Sequence, residues 1–165
     1  MEKPIIGIVM GSASDRPIME EAAAILGRFQ VPYELIVASA HRSPERTRDY
    51  ARTAQERGLQ IIIAGAGGAA HLAGSIAAAT VLPVIGVPID SSPLKGMDAL
   101  LATVQMPAGV PVATMAVGKA GARNAGILAV QIISLHQPAL QRKLEEYKKE
   151  MAQQVEEAGK KSTKE

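Results

Sequence analysis

Short apolar runs punctuate the chain at 5–10, 33–38, 60–64, 84–87 and 112–117, and longer stretches with helical patterning lie between them. The runs are rich in Ile, Val and Ala and alternate little between apolar and polar positions, which predicts strands buried on both faces. Strands of this kind interleaved with helices predict an α/β fold: one parallel sheet of about five strands with helices packed on both sides.

Helix boundaries are marked as well. Asp15 and Pro17 precede a helical pattern over 19–29, while Ser43 as N-cap and Pro44 as first helical residue precede one over 45–57 that Gly58 closes. A buried Ala/Ile helix is predicted over 120–135, and a last helix from Pro138 that is heavily charged over 143–157. Residues 1–158 then form a single domain with a C-terminal helical extension, and 159–165 a charged tail expected to fray.

Between Gly58 and Ile89 there is no charged residue, a stretch long enough to span a bilayer. Gly65, Gly67, Gly68 and Gly74 interrupt it, His71 sits in its middle, and Pro83 and Pro88 break its later part. It reads instead as a buried strand, a Gly-rich loop, an Ala-rich helix and a further buried strand, with no membrane segment.

Composition narrows the function classes. A length of 165 residues suits one full-sized core and excludes a two-domain enzyme. The net charge is +2, and Lys160, Lys161 and Lys164 of the tail carry much of that excess, so no basic surface for nucleic acid is indicated. With three Tyr, one Phe and no Trp, the stacking platforms of single-strand binders cannot be assembled. The absence of cysteine removes disulfides, thiolate metal sites and cysteine nucleophiles. The N-terminal apolar run is too short for a secretory signal, and a cytoplasmic location is expected.

In a parallel sheet every strand-to-helix loop emerges at the carboxyl edge, where α/β proteins bind ligands. The loops there carry most of the unusual polar residues. In the first, Ser12, Ser14 and nearby amides suit a phosphate at a helix start, while Asp15 suits neutral hydroxyls such as those of a ribose. For Ser14 or Asp15 taken alone, simple helix capping is an equal reading.

The second loop, Ser39-Ala40-His41-Arg42-Ser43, places a guanidinium suited to bidentate phosphate binding beside an imidazole. The helix terminus and Arg42 both disfavour a second positive charge there, so His41 is expected neutral and able to take up a proton. A surface histidine with a structural hydrogen bond is the competing reading.

The third loop, Gly65-Ala66-Gly67-Gly68-Ala69-Ala70-His71, imitates the dinucleotide fingerprint, with Asp90 downstream as the acidic residue. A non-catalytic dinucleotide-binding module is therefore an alternative of a different class. Against it, the fingerprint belongs to the first strand–helix–strand unit of a larger fold, and these glycines can equally bring amides close to a carboxylate. His71 is a second titratable group there, with capping or packing as its bland reading. His136 lies between the last two helices and is expected to be structural. No Walker A, HExxH or GxSxG motif and no carboxylate cluster for a metal is present.

Taken in order, Gly11-Ser12-Ala13-Ser14-Asp15, Ser39-Ala40-His41-Arg42-Ser43-Pro44, the run from Ala64 to His71-Leu72, Gly86-Val87-Pro88, Val104-Gln105-Met106-Pro107, and Gly118-Lys119-Ala120-Gly121 with Asn124-Ala125 resemble the bacterial 5-(carboxyamino)imidazole ribonucleotide mutases of de novo purine synthesis. The likeness runs from about Ile5 to Leu135. It implies a flavodoxin-like three-layer fold and a homo-octamer. The implied reaction moves a carboxylate from the exocyclic nitrogen to a ring carbon of an aminoimidazole ribonucleotide by decarboxylation and recarboxylation, with no cofactor: no metal, ATP or biotin. It also implies functional coupling to the ATP-dependent synthetase that makes the substrate.

By the same resemblance His41 is the general acid/base. Ser12, Ser14, Asp15, Ser39, Ala40 and Arg42 bind substrate, and Gly65, Ala66, Gly67, Gly68, Ala69, His71 and Leu72 surround the migrating carboxylate. The chain departs from the family pattern at Ala73, where proline is usual, and at Arg16, where tryptophan is frequent. Ala73 is expected to loosen the third loop, and Arg16 to add a cation near the phosphate. A related carboxylase using free CO2 is the alternative within the family; Arg42, in place of that branch's more frequent lysine, favours the mutase. Ala-rich helices and the apolar stretch 104–117 further predict a symmetric oligomer, with residues 105–109 against a neighbour's site.

Overall fold

In a computed structural model, residues 3–162 are described. Among them the chain forms five strands, β1 (Ile6–Met10), β2 (Tyr33–Val37), β3 (Ile61–Gly67), β4 (Val84–Ile89) and β5 (Ala113–Thr114). Six helices accompany them: α1 (Arg16–Arg28), α2 (Pro44–Thr53), α3 (Leu72–Ala77), α4 (Met97–Val104), α5 (Gly118–Ser134) and α6 (Pro138–Ser162). The strands are parallel in the order β2-β1-β3-β4-β5. This is the flavodoxin-like doubly wound order, and its direction reverses between β1 and β3, where folds of this class hold their ligands. No helix among the described residues is long and apolar enough to cross a membrane.

The packing divides into two compact units, 1–129 and 130–165. In the first, alternation along the strands sorts side chains onto two faces. Val9, Ile62 and Ala64 join Ala51 and Ala54 beside α2 and Leu72 and Ile76 of α3 in one buried cluster. On the opposite face, Ile6, Ile8, Ile61 and Ile63 are fully buried, and Gly65 lies against Met19 of α1. The second unit holds the end of α5, the turn bearing His136, and α6, with Val130, Ile133, Leu140 and Leu144 buried. There α6 continues past Gly159 to Ser162; the last three residues of the charged tail lie outside the described residues.

Three elements differ from the sequence expectation. First, α4 is absent from that expectation, because its amphipathic pattern is inverted: Ala99 and Thr103 are buried, while Met97, Leu101 and Val104 face outward. Second, β5 keeps only two residues of the expected six, at the sheet edge two positions after Pro111, whose missing N–H cannot join a ladder. Third, β3 runs on to Gly67, so the first part of the expected Gly-rich loop is strand. Gly58 does close the segment after α2, by hydrogen bonds from Gly58 N to Gln55 O and from Leu59 N to Ala54 O, although regular α-helix stops at Thr53.

Candidate active site

The carboxyl ends of β1, β2, β3 and β4 open into a cleft of about 290 Å³. From the first loop, Gly11, Ser12, Ser14 and Asp15 line it; from the second, Ser39, Ala40, His41 and Arg42; from the third, Ala66, Gly67, Ala69, His71 and Leu72; and from the fourth, Ser91.

The first loop is folded on its own polar groups. Ser12 N donates to Asp15 Oδ2 at 3.0 Å, and Ser12 Oγ accepts from Ser14 N at 3.3 Å and from Ser14 Oγ at 2.8 Å, a capping box around a short 3-10 turn. The capping reading of Asp15 therefore holds in part, and one amide expected for the phosphate is already spent on its carboxylate. Gly11 N donates to Gly65 O at 3.1 Å, which ties this loop to β3 across the switch point.

Asp15 is buried, and burial pushes its carboxyl above the usual range. The Ser12 amide, the Arg42 guanidinium and the Ser14 hydroxyl pull the other way without cancelling that effect.

In the second loop Ser43 occupies the N-cap position but does not cap with its side chain. Its Oγ accepts from Ser39 N at 3.0 Å and donates to Ser39 O at 3.1 Å, while Ser39 Oγ accepts from Arg42 N at 3.2 Å. These bonds cross-link the turn that presents His41 and Arg42. The Arg42 guanidinium donates to Gly11 O at 3.2 Å and so leans across the first loop. With five N–H donors on that group, most remain for an anion.

His41 Nε2 lies 2.7 Å from His71 Nδ1, with the two rings edge to face at 4.8 Å between centroids. One of the two nitrogens must carry the shared proton and the other must accept it. Thirty residues apart in sequence, they form a hydrogen-bonded imidazole pair facing the cleft. The structural reading of His41 thus gains a partner, and that partner is itself a titratable group.

Two expected residues are absent from the wall. Gly65 is buried inside β3, where a Cβ would collide with Met19 Sδ, so its bare backbone serves the packing of α1 and its carbonyl the first loop. Gly68 makes the turn after β3 at φ +58, with open space where a side chain would be. The dinucleotide fingerprint loses its geometry for the same reason: Gly65 and Gly67 lie within the strand, and α3 begins only at Leu72.

Arg16 does not reach the cleft wall and pairs with Glu20 at 3.6 Å along α1. Ala73 is buried in the first turn of α3. His136 is exposed in the turn before α6. Ser91 and Gly11 are the wall residues not singled out from sequence; the available signal was position, since each lies just past an apolar run on the same sheet edge. Among the described residues, no group of three or more His, Cys, Asp or Glu is placed to hold a metal ion.

Fold and cleft together define a doubly wound α/β protein with a small-molecule site at its switch point, in which a guanidinium and a buried carboxylate accompany a pair of imidazoles. Comparison with known proteins agrees. Residues 5–154 match the family described as AIR carboxylase. The chain is 57% identical over 159 residues to the N5-carboxyaminoimidazole ribonucleotide mutase of Pyrococcus horikoshii, covering 96% of this chain and 89% of that one. It is 58% identical over 153 residues to the protein of the same name from Bacillus subtilis, covering 93% and 94%. Among solved structures, Treponema denticola PurE superposes with a TM-score of 0.82 at 27% identity, over 93% of this chain and 95% of that one. The chain belongs to the AIR carboxylase family.

Proposed function

We propose that the chain is a mutase of de novo purine synthesis. It converts the 5-carboxyamino imidazole ribonucleotide into the 5-amino-imidazole-4-carboxylate ribonucleotide. The observation that carries this reading is identity at more than half of all positions, across over nine tenths of the chain, with relatives named for that activity.

Arg42 and Ser12 take the phosphate, with Arg42 exchanging or sharing its bond to Gly11 O, and Asp15 accepts from the ribose hydroxyls. At the other end of the substrate the exocyclic N–C bond breaks, CO2 departs, and His41 delivers a proton to the nitrogen that keeps the electron pair. CO2 is retained beside Ala66, Gly67, Ala69 and Leu72, an apolar wall with little to hydrate it. The ring carbon then attacks CO2 and its proton returns to His41. One imidazole thus gives and regains one proton, and the enzyme ends as it began. His71, hydrogen-bonded to His41, fixes which nitrogen of that ring faces the substrate.

The enzyme acts in the cytoplasm as a homo-octamer and receives its substrate from the ATP-dependent synthetase that makes it. An apolar stripe supports assembly: Leu94, Met97, Leu101 and Val104, spaced three and four apart, are all about half exposed or more. Gln105 and residues 107–109 beyond it are exposed and available to a neighbour. A monomeric mass by light scattering at micromolar concentration would refute the assembly.

The reaction is tested with purified protein and the carboxyamino substrate without added bicarbonate. Product formation at a rate insensitive to bicarbonate is expected. Formation of product only from the decarboxylated ribonucleotide and CO2 would assign the carboxylase activity instead.

A further inference from the structure

Four serines line the cleft: Ser12, Ser14, Ser39 and Ser91. The hydroxyls of the first three are occupied within the protein, Ser12 with Ser14 and Ser39 with the Arg42 amide. Ser91 Oγ alone among them has no hydrogen-bond partner among the described residues.

Its position is nonetheless built. Ser91 lies just past β4, whose last residue Ile89 pairs in register with Gly67 of β3. A Cβ on Gly67 would collide with Ser91 Oγ and come within 3.0 Å of Ser91 Cβ and 3.1 Å of Ile89 O. Residue 67 thus has to lack a side chain for the Ser91 hydroxyl to sit on the cleft wall. The close packing fixes where this exposed hydroxyl sits on the wall, and with no protein partner it is free to exchange water for a ligand atom.

Strand order says which part of the ligand. The Arg42 guanidinium reaches from beyond β2 to Gly11 O past β1, and Ser91 lies beyond β4, two strand spacings further in the order β1-β3-β4, roughly 10 Å at usual inter-strand distances. With the phosphate at Arg42, the β4 end is left for the heterocycle and its carboxylate. Of the third-loop residues on the wall, Ala66, Gly67, Ala69 and Leu72 carry no side-chain donor, and His71 Nδ1 is engaged with His41, so Ser91 is the one hydroxyl at that end.

Resting on the mutase reading, we infer that the Ser91 hydroxyl donates a hydrogen bond to the carboxylate on the heterocycle and holds it over Gly67. Ser91 is thereby a substrate-contacting residue that separates carboxylated ribonucleotides from shorter phosphosugars.

Ser91→Ala removes one exposed oxygen with no protein partner and adds no bulk, so thermal unfolding is expected to match wild type. Turnover of the carboxyamino substrate and affinity for ribose 5-phosphate, which lacks the heterocycle, are measured side by side. Expected is a loss of roughly ten- to a hundredfold in kcat/KM, the scale of a hydrogen bond to a charged group, with ribose 5-phosphate affinity within about twofold. Unchanged kcat/KM in the variant beside an active wild type overturns the Ser91 contact and leaves the mutase reading intact. Equal loss of ribose 5-phosphate affinity also overturns it. A wild type inactive on this substrate overturns the mutase reading and the carboxylate contact with it.

Discussion

Replacing Arg42 by alanine separates the two electrostatic tasks of the cleft. In the free protein the guanidinium donates to Gly11 O at 3.2 Å and its charge helps hold the buried Asp15 carboxyl down against desolvation. Losing it removes the cation expected on the phosphate, worth about 1.5 to 3 kcal/mol for hydrogen bonds to a charged group, or roughly ten- to 150-fold in Kd. It also lets the Asp15 carboxyl rise further, so that more of it is protonated at mildly acid pH and unable to accept from ribose hydroxyls. Arg42→Ala is therefore expected to bind product more weakly at neutral pH and to lose additional affinity at acid pH, where wild type loses less. Arg42→Lys restores the charge near Asp15 but not the planar fork, and should recover the pH behaviour more fully than the affinity. Calorimetric titration of product into the three proteins at neutral and acid pH reads both effects. If Arg42→Ala binds product as tightly as wild type, the phosphate assignment is wrong; if its pH dependence is unchanged, the coupling to Asp15 is wrong.

Further outcomes rest on the same geometry. His41→Asn is expected to bind product normally yet lose at least about a hundredfold in kcat, the lower range for general acid/base catalysis, and near-normal single-turnover rates would move the proton transfer elsewhere. Asp15→Asn should weaken ligands that carry ribose hydroxyls while leaving Tm equal or higher. Because the native Asp15 value lies above the ordinary 3.8, its ionised form costs stability at neutral pH, and that cost fades as pH falls through the raised value. The advantage of Asp15→Asn in urea unfolding should accordingly shrink toward acid pH; a constant or growing advantage contradicts it. Gly65→Ala places a Cβ against the buried Met19 Sδ and should destabilise by about 1 to 3 kcal/mol, the usual penalty of overpacking, with most of it recovered in the Met19→Ala background. Additive losses in that double variant would show that the strain lies outside this contact.

Much of this protein is determined by local sequence. The short unbroken apolar runs that became β1, β3 and β4, rich in Ile and Val and bounded by Gly and Pro, read as buried strands, and burial on both faces favours parallel pairing with helical crossovers. Once the strands are parallel, their carboxyl ends share an edge, so Ser12, Asp15, His41, Arg42 and His71 were legible together before any contact was known. Pro44 at the start of α2 and the glycine after it acted through backbone dihedrals that no distant residue needs to complete.

Tertiary structure decided what depends on residues far apart in the chain. Nothing near position 65 says that Met19 fills the space a side chain would take, so Gly65 looked like a ligand loop when it is a packing surface. The helix α4 turns apolar residues outward, and a pattern read for an inward stripe passes over it. The capping box drew Asp15 toward the Ser12 amide, and the loops after β2 and β3, which flank β1 at the sheet edge, brought His41 Nε2 to 2.7 Å from His71 Nδ1. Hydrophobic periodicity records which side of an element is buried, but it carries no information about which partner covers that side. Partners and distances are set only when the sheet closes its register and the loops at its edge compete for the same space.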